Sequence, residues 1–270
     1  MSSLTEQIER TPVTFVIALA YLALALMSDP IDPSWDDLIV LGAAHRLLLH
    51  DEPWRLVTYA FLHGGFIHLL FNLYCLVIIG PMVEASLGKV KYAILYVVAA
   101  IGGCVAAMIW DAGLLVGGSG SLFGMFGSIV AVNMRGGRHL FDAFQFRGPR
   151  SVVALIAVNF AIGLFLPMVS NSGHFGGLVG GFVVTFLFLD RGRSGTLDGI
   201  GRSIQVGWIA VLASLSLYVM EPVGHSWFVK FRTGIAFATR QELEQDKGIA
   251  KEPKPIRDAV LAWHDRFHGR

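Results

Sequence analysis

Charge is what this sequence of 270 residues has least of. Asp, Glu, Lys and Arg make up 15% of it and hydrophobic residues 54%, where a soluble domain carries about 25% charged residues. The mean hydropathy is +0.60. That balance excludes an ordinary soluble domain and makes the lipid bilayer the expected surrounding. No sign of charge dominates either, and a net charge of +1 argues against a nucleic-acid partner. Cysteine is almost missing. Cys75 and Cys104 lie inside apolar runs, read as packing groups rather than a disulfide, and say little about redox compartment. There is no HExxH to suggest a zinc protease. No aspartate lies inside an apolar run, which removes an aspartyl pair. The G-x-S-x-G elbow of soluble hydrolases also fails, because Ser121 stands where its last glycine would be.

What the chain has in quantity is apolar runs. Seven lie near or just under the ~20 residues that a spanning helix needs: Val13–Met27, Phe66–Val83, Tyr92–Trp110, Gly120–Met134, Val152–Met168, His174–Leu189 and Ile204–Met220. Several are short, which calls for local bilayer thinning or little tilt. The leader MSSLTEQIER carries two glutamates and one arginine, a poor basic n-region, so the first run reads as a retained span. The short loops expected on the N-terminal side hold ten Lys and Arg residues against two, Arg46 and Arg55, on the other. The N-terminus is therefore expected to be cytoplasmic. Seven spans then put the tail outside, while Lys230, Arg232 and Arg240 pull the other way, a conflict that bears on the seventh span. The first loop, Ser28–Tyr59, contains WDDLIVLGAAHRLLLH, with the mixed character of an interfacial helix. The mixed-charge tail from Glu221 reads as a partly helical, solvated appendage.

Polar groups inside apolar runs need a partner or a wet cavity. His68 and Asn72, in FIHLLFNLY, are four residues apart and share a helical face. A hydrogen bond between packed helices explains them as well as chemistry does. His63, in FLHGG, suits a place at the interface or a role in ordering the loop. His174 opens the sixth run, where Gly173, Gly177 and Gly181 form a stripe that allows close helix approach. Gly120 and Gly124, with Gly127 nearby, form a partner stripe just after Ser119, a residue that alone is an ordinary helix N-cap. The second, fourth and sixth runs all cross from outside to inside, so these polar groups lie at one depth. Two glycine stripes can then bring Ser119 to His174 as nucleophile and general base, with His68 and Asn72 facing the same spot as oxyanion donors. His63, His68 and His174 have no carboxylate beside them, so neither a metal nor another cofactor is expected. A channel or transporter with broken helices also fits irregular backbone at this depth.

From about Trp35 to Leu189 the sequence resembles the rhomboid family of intramembrane serine proteases. The resemblance rests on Trp54-Arg55 in EPWRLVTYAFLHGG, on HGGFIHLLFN, and on Gly80, Glu84 and Gly88 in GPMVEASLG. It rests further on the G-x-S-G motif Gly117-Gly118-Ser119-Gly120 and on HFGGLVGG. It implies an all-α membrane protein with a six-helix rhomboid core over residues 12–190. Residues 1–11 form a cytoplasmic N-terminus, 191–220 a linker and seventh span, and 221–270 the tail. It also implies a cavity opening outward with Ser119 at its floor, His174 as base, and Phe123 as the aromatic on which that histidine packs. Asn72, His68 and the Ser119 backbone N–H would form the oxyanion hole, while Trp54 and Arg55 would be structural or lipid-facing. The implied partners are transmembrane protein substrates, and the implied location is a bacterial cell membrane. The rival reading is a catalytically inactive rhomboid-like protein in binding or quality control, although such relatives lose the serine, the histidine or both.

Overall fold

The computed structural model describes residues 4–46, 48–49, 51–110, 113–135, 169–189, 199–220 and 254–268. Regular structure among the described residues is helical, save one isolated bridge between Ala44 and Leu115. A short α1, Leu4–Arg10, leads into α2, Pro12–Met27. Proline suits the first position of a helix, where its missing N–H has no partner to lose. The next two N–H groups, of Val13 and Thr14, donate to the Glu84 carboxylate at 3.0 and 2.8 Å, and the Thr14 hydroxyl donates to it at 2.8 Å. Glu84 lies near the end of α5, Phe66–Leu87. A buried carboxylate is thus held by orphan donors and the positive end of a helix dipole.

Gly88, at φ 82°, turns the chain from α5 into α6, Lys89–Trp110. Next come α7, Ser119–Arg135, and α8, Asn171–Val184, which runs on as a π-helical turn over Thr185–Leu189. The expected fifth span, Val152–Met168, lies outside the described residues. The seventh corresponds to α9, Gly199–Met220. Over Phe66–Leu87, Lys89–Trp110 and Arg202–Met220 the helices are long and apolar enough to cross a membrane, and Pro12–Met27 is a shorter apolar helix. Their outward faces are apolar, as lipid requires: Phe66, Ile67, Phe71 and Tyr74 on α5, and Ile204, Val206, Ile209 and Leu217 on α9, are exposed.

The centre of the molecule is the packing of α6, α7 and α8 on one another. Glycine makes it possible. A Cβ at Gly177 or Gly181 would run into the backbone carbonyl of Gly120 or Gly124 on α7. One at Gly176 would strike the carbonyl of Gly102 on α6. The α7–α8 contact follows the stripes legible in the sequence. The second seam, through Gly102 and Gly103, went unread because both glycines sit inside an otherwise ordinary apolar run.

One expectation fails in the first loop. The interfacial helix expected through WDDLIVLGAAHRLLLH ends early, as α3, Trp35–Leu41. Gly42 stops it in a left-handed conformation (φ 114°), where a Cβ would also collide with Thr58. Beyond it the chain turns inward, and Ala44 exchanges backbone hydrogen bonds with Leu115 at 3.0 and 2.8 Å. The guanidinium of Arg55, at the start of α4, Arg55–Thr58, holds this loop together. It is buried, donates to the carbonyls of Ile39 and Ala43 at 2.7 Å each, and pairs with Glu52. Trp54 beside it is 55% exposed.

The tail is more than a solvated appendage. Its helix α10, Lys254–His268, buries Ile256, Ala259, Val260 and Leu261 against Ile39 and Leu48, with Trp35 and Leu114 alongside. Apolar residues at 256, 259 and 260 recur at helical spacing, which is why this segment docks. At the end of α9 the Tyr218 ring lies 5.3 Å from the Arg46 guanidinium. The C-terminal segment and the first loop therefore share one side of the molecule.

Candidate active site

The bridge to Ala44 anchors Leu115, and two residues later Gly117 adopts φ 118°. Its N–H donates to the Tyr59 carbonyl at 3.0 Å. Only glycine suits this position, since a Cβ there would also meet His68 Nε2 at 2.6 Å. Gly118 follows, and Ser119 is the first residue of α7.

His174 approaches from α8. That helix begins at Asn171, ahead of the expected start, because Ser170 caps it by accepting the Gly173 N–H at 2.8 Å. The result places His174 Nε2 2.9 Å from Ser119 Oγ. One turn along α7 from Ser119, the Phe123 ring stacks on the imidazole, with centroids 4.3 Å apart and planes 9° from parallel. Phe126 meets Phe123 edge-on at 5.7 Å. The histidine is 4% exposed, so its ring is held in place by packing as well as by the hydrogen bond. Gly177 and Gly181, whose Cβ atoms would collide with the carbonyls of Gly120 and Gly124, are what let α8 come this close. Ser121 is committed elsewhere, donating to the Tyr96 carbonyl at 2.9 Å from a fully buried position.

The other two expected residues arrive on α5. The His68 ring edge abuts Gly117, and its Nδ1 accepts the Gly64 N–H at 3.3 Å. That bond assigns the neutral-ring proton to Nε2, the nitrogen nearest Gly117. Asn72 is buried and donates from Nδ2 to the carbonyl of His68 at 2.9 Å, which commits one of its two amide N–H bonds. Its Oδ1 has no hydrogen-bond partner among the described residues.

His63 lies inside the protein rather than at its interface. It is 2% exposed, and its ring meets Tyr21 edge-on at 4.5 Å and His68 at 5.2 Å. Sequence reasoning overlooked the tyrosines behind the site. Tyr21, Tyr59 and Tyr96 are buried and hydrogen-bonded. The available signal was a phenol inside an apolar run, which must find a partner when buried. Among the described residues, no three His, Cys, Asp or Glu side chains are grouped to hold a metal ion.

Comparison with known proteins places the chain. The family model described as Rhomboid domain matches residues 50–191. RHOMBOID-like protein 5 of Arabidopsis thaliana is 35% identical over 173 residues, covering 62% of this chain and 54% of that protein. RHOMBOID-like protein 1 of the same plant is 36% identical over 145 residues, 53% of this chain and 36% of that one. Rhomboid protease GluP of Bacillus subtilis is 31% identical over 148 residues, 54% of this chain and 28% of that one. The chain thus spans about half, or less, of the length of these relatives. The matched region carries the first-loop arginine, the glycine-packed helices, Ser119 and His174, and this multi-pass integral membrane protein belongs to the rhomboid family.

Proposed function

We propose that the chain is an intramembrane serine endopeptidase whose substrates are transmembrane segments of other proteins. The observation that carries this reading is the 2.9 Å contact between Ser119 Oγ and His174 Nε2 beneath the stacked Phe123 ring. Ser119 Oγ attacks the carbonyl carbon of the scissile peptide while His174 Nε2 takes its proton. His174 then returns that proton to the leaving amine, and the acyl group stays on Ser119. A water attacks the ester, again with His174 as base, and releases a carboxylate. The oxygen that becomes negative in each addition is met by the Ser119 backbone N–H, by Nε2–H of His68 and by the remaining Asn72 amide N–H. One such donor is worth about 10²–10³ in rate.

No acidic third member is assigned. In its place Phe123 fixes the plane of the imidazole, and its phenylalanine brings no hydroxyl to the reaction. A transmembrane segment is helical and hides its carbonyls, so it must unwind before Ser119 reaches it. Helix-weakening residues near the cut and small side chains at it are the expected preference. The charge distribution of the loops supports a cytoplasmic N-terminus and a site open to the opposite side of the membrane.

Labelling of the purified full chain with a fluorophosphonate tests the reading. The expected result is labelling of the wild type that disappears in both Ser119→Ala and His174→Ala. Labelling kept by Ser119→Ala but lost in Ser121→Ala would assign the wrong serine. An unlabelled wild type would instead favour a binding or quality-control protein, and solute flux surviving Ser119→Ala a transporter.

A further inference from the structure

Tyr21, on α2, is fully buried and lies among residues of the site without being one of those assigned a chemical role. Its proton can be placed. Tyr96 Oη donates to the Ala60 carbonyl at 2.9 Å, which uses the single hydroxyl proton of Tyr96. The 2.8 Å contact between the two phenols is therefore a bond from Tyr21 to Tyr96. This fixes the Tyr21 oxygen against Gly118, since a Cβ added at Gly118 would fall on that hydroxyl. The Ala60 carbonyl packs on the same side of Gly118, 3.0 Å from that Cβ position. The Gly118 carbonyl itself accepts the Leu122 N–H at 3.0 Å. The peptide plane that contains that carbonyl also contains the Ser119 N–H. Gly118 has no side chain of its own to limit rotation of this plane, so the Leu122 bond and the packing of Tyr21 and Ala60 against Gly118 hold it.

The ring of the same tyrosine acts on a second group. It meets His63 edge-on at 4.5 Å, and His63 meets His68 edge-on at 5.2 Å. We infer that Tyr21 is a positioning residue that holds both arms of the oxyanion site, the Gly118–Ser119 peptide through its hydroxyl and His68 through the His63 ring. The inference rests on the proteolytic reading, because an oxyanion site matters only if Ser119 attacks a carbonyl or its phosphorus analogue. It assigns α2 a part in the reaction although that helix supplies no group that touches substrate.

The test measures the fluorophosphonate reaction of the full chain in detergent, separating the maximal labelling rate from the probe concentration at half-maximum, together with the unfolding temperature. Tyr21→Phe keeps the ring and removes the hydroxyl. It is expected to lower the maximal rate about tenfold, in line with the sensitivity of rates to small misplacement, and to leave the half-saturating concentration and the unfolding temperature unchanged. Tyr96→Phe should match it, and the double variant should fall no further, because the two phenols act as one unit. Tyr21→Leu, which also withdraws the support of His63, should be slower still, with Tyr21→Phe as its partial rescue. Leu19→Ala, at a position 64% exposed on the same helix, should label at the wild-type rate. A Tyr21→Phe protein that labels like wild type overturns the inference, and so does a slower one whose half-saturation and unfolding temperature shift in step. A wild type that does not label defeats the proteolytic reading itself, and the positioning role with it.

Discussion

The contact between Ser119 Oγ and His174 Nε2 can serve the proposed hydrolysis only while the imidazole is neutral, because a protonated ring has no lone pair left to accept the serine proton. Cleavage should therefore be present above the pKa of His174 and fall as pH drops through it. A rate that stays flat from mildly acidic to mildly basic pH would count against His174 as the base. Arg55 presents a different kind of dependence. Burial lowers its pKa and the Glu52 carboxylate opposes that shift, so the guanidinium keeps its charge inside the first loop. Removing it in Arg55→Ala strands the carbonyls of Ile39 and Ala43 and leaves Glu52 unpaired, an effect of about 3 kcal/mol on unfolding. Arg55→Lys should recover little, since one ammonium cannot reproduce a fork aimed at two carbonyls and a carboxylate. Thermal unfolding of the two variants in one detergent decides the point.

Among the helices, the separation of α7 from α8 is set by atoms that are missing. The carbonyls of Gly120 and Gly124 occupy the space that a Cβ would need at Gly177 and Gly181. Gly177→Ala and Gly181→Ala should each destabilise the protein by about 1–3 kcal/mol, the usual range for overpacking. Gly177→Ala, one turn from His174, should also slow fluorophosphonate labelling. Gly207 on α9 is the contrast, with nothing within 4 Å of its would-be Cβ. Gly207→Ala should be tolerated or raise stability by up to about 1 kcal/mol, the difference in helix propensity. Equal effects at Gly177 and Gly207 would mean that the seam is not what limits the packing.

At the scale of the whole molecule, the docking of α10 on α3 bears on how often the chain crosses the membrane. The first loop follows one span and α10 follows the last, so their contact requires an odd number of spans before the tail. Cys75 and Cys104 are buried, which keeps the native background low in a cysteine-labelling experiment. Asp36→Cys in the first loop and Ala262→Cys in α10, both at exposed positions, should react with a membrane-impermeant maleimide from the same side. Lys89→Cys, at the turn between α5 and α6, should react from the other. Labelling of position 262 from the side of position 89 would break the seven-span arrangement.

The sequence by itself determined the class of the molecule and put forward the residues of its candidate site. Apolar runs with little charge have one stable answer in lipid, helices that satisfy their own backbone. A serine ahead of one glycine stripe and a histidine ahead of another lie on helices that run the same way, so their common depth was also legible. Only the tertiary structure decided what lies behind them. The Gly102–Gly103 seam, the phenol pair of Tyr21 and Tyr96, and the seat of α10 on Ile39 and Leu48 join residues far apart in the chain. Such contacts depend on which faces meet, and local patterns of hydrophobicity and spacing do not encode that. The same reason explains why α3 ends at Gly42, where the loop must turn inward to reach Leu115.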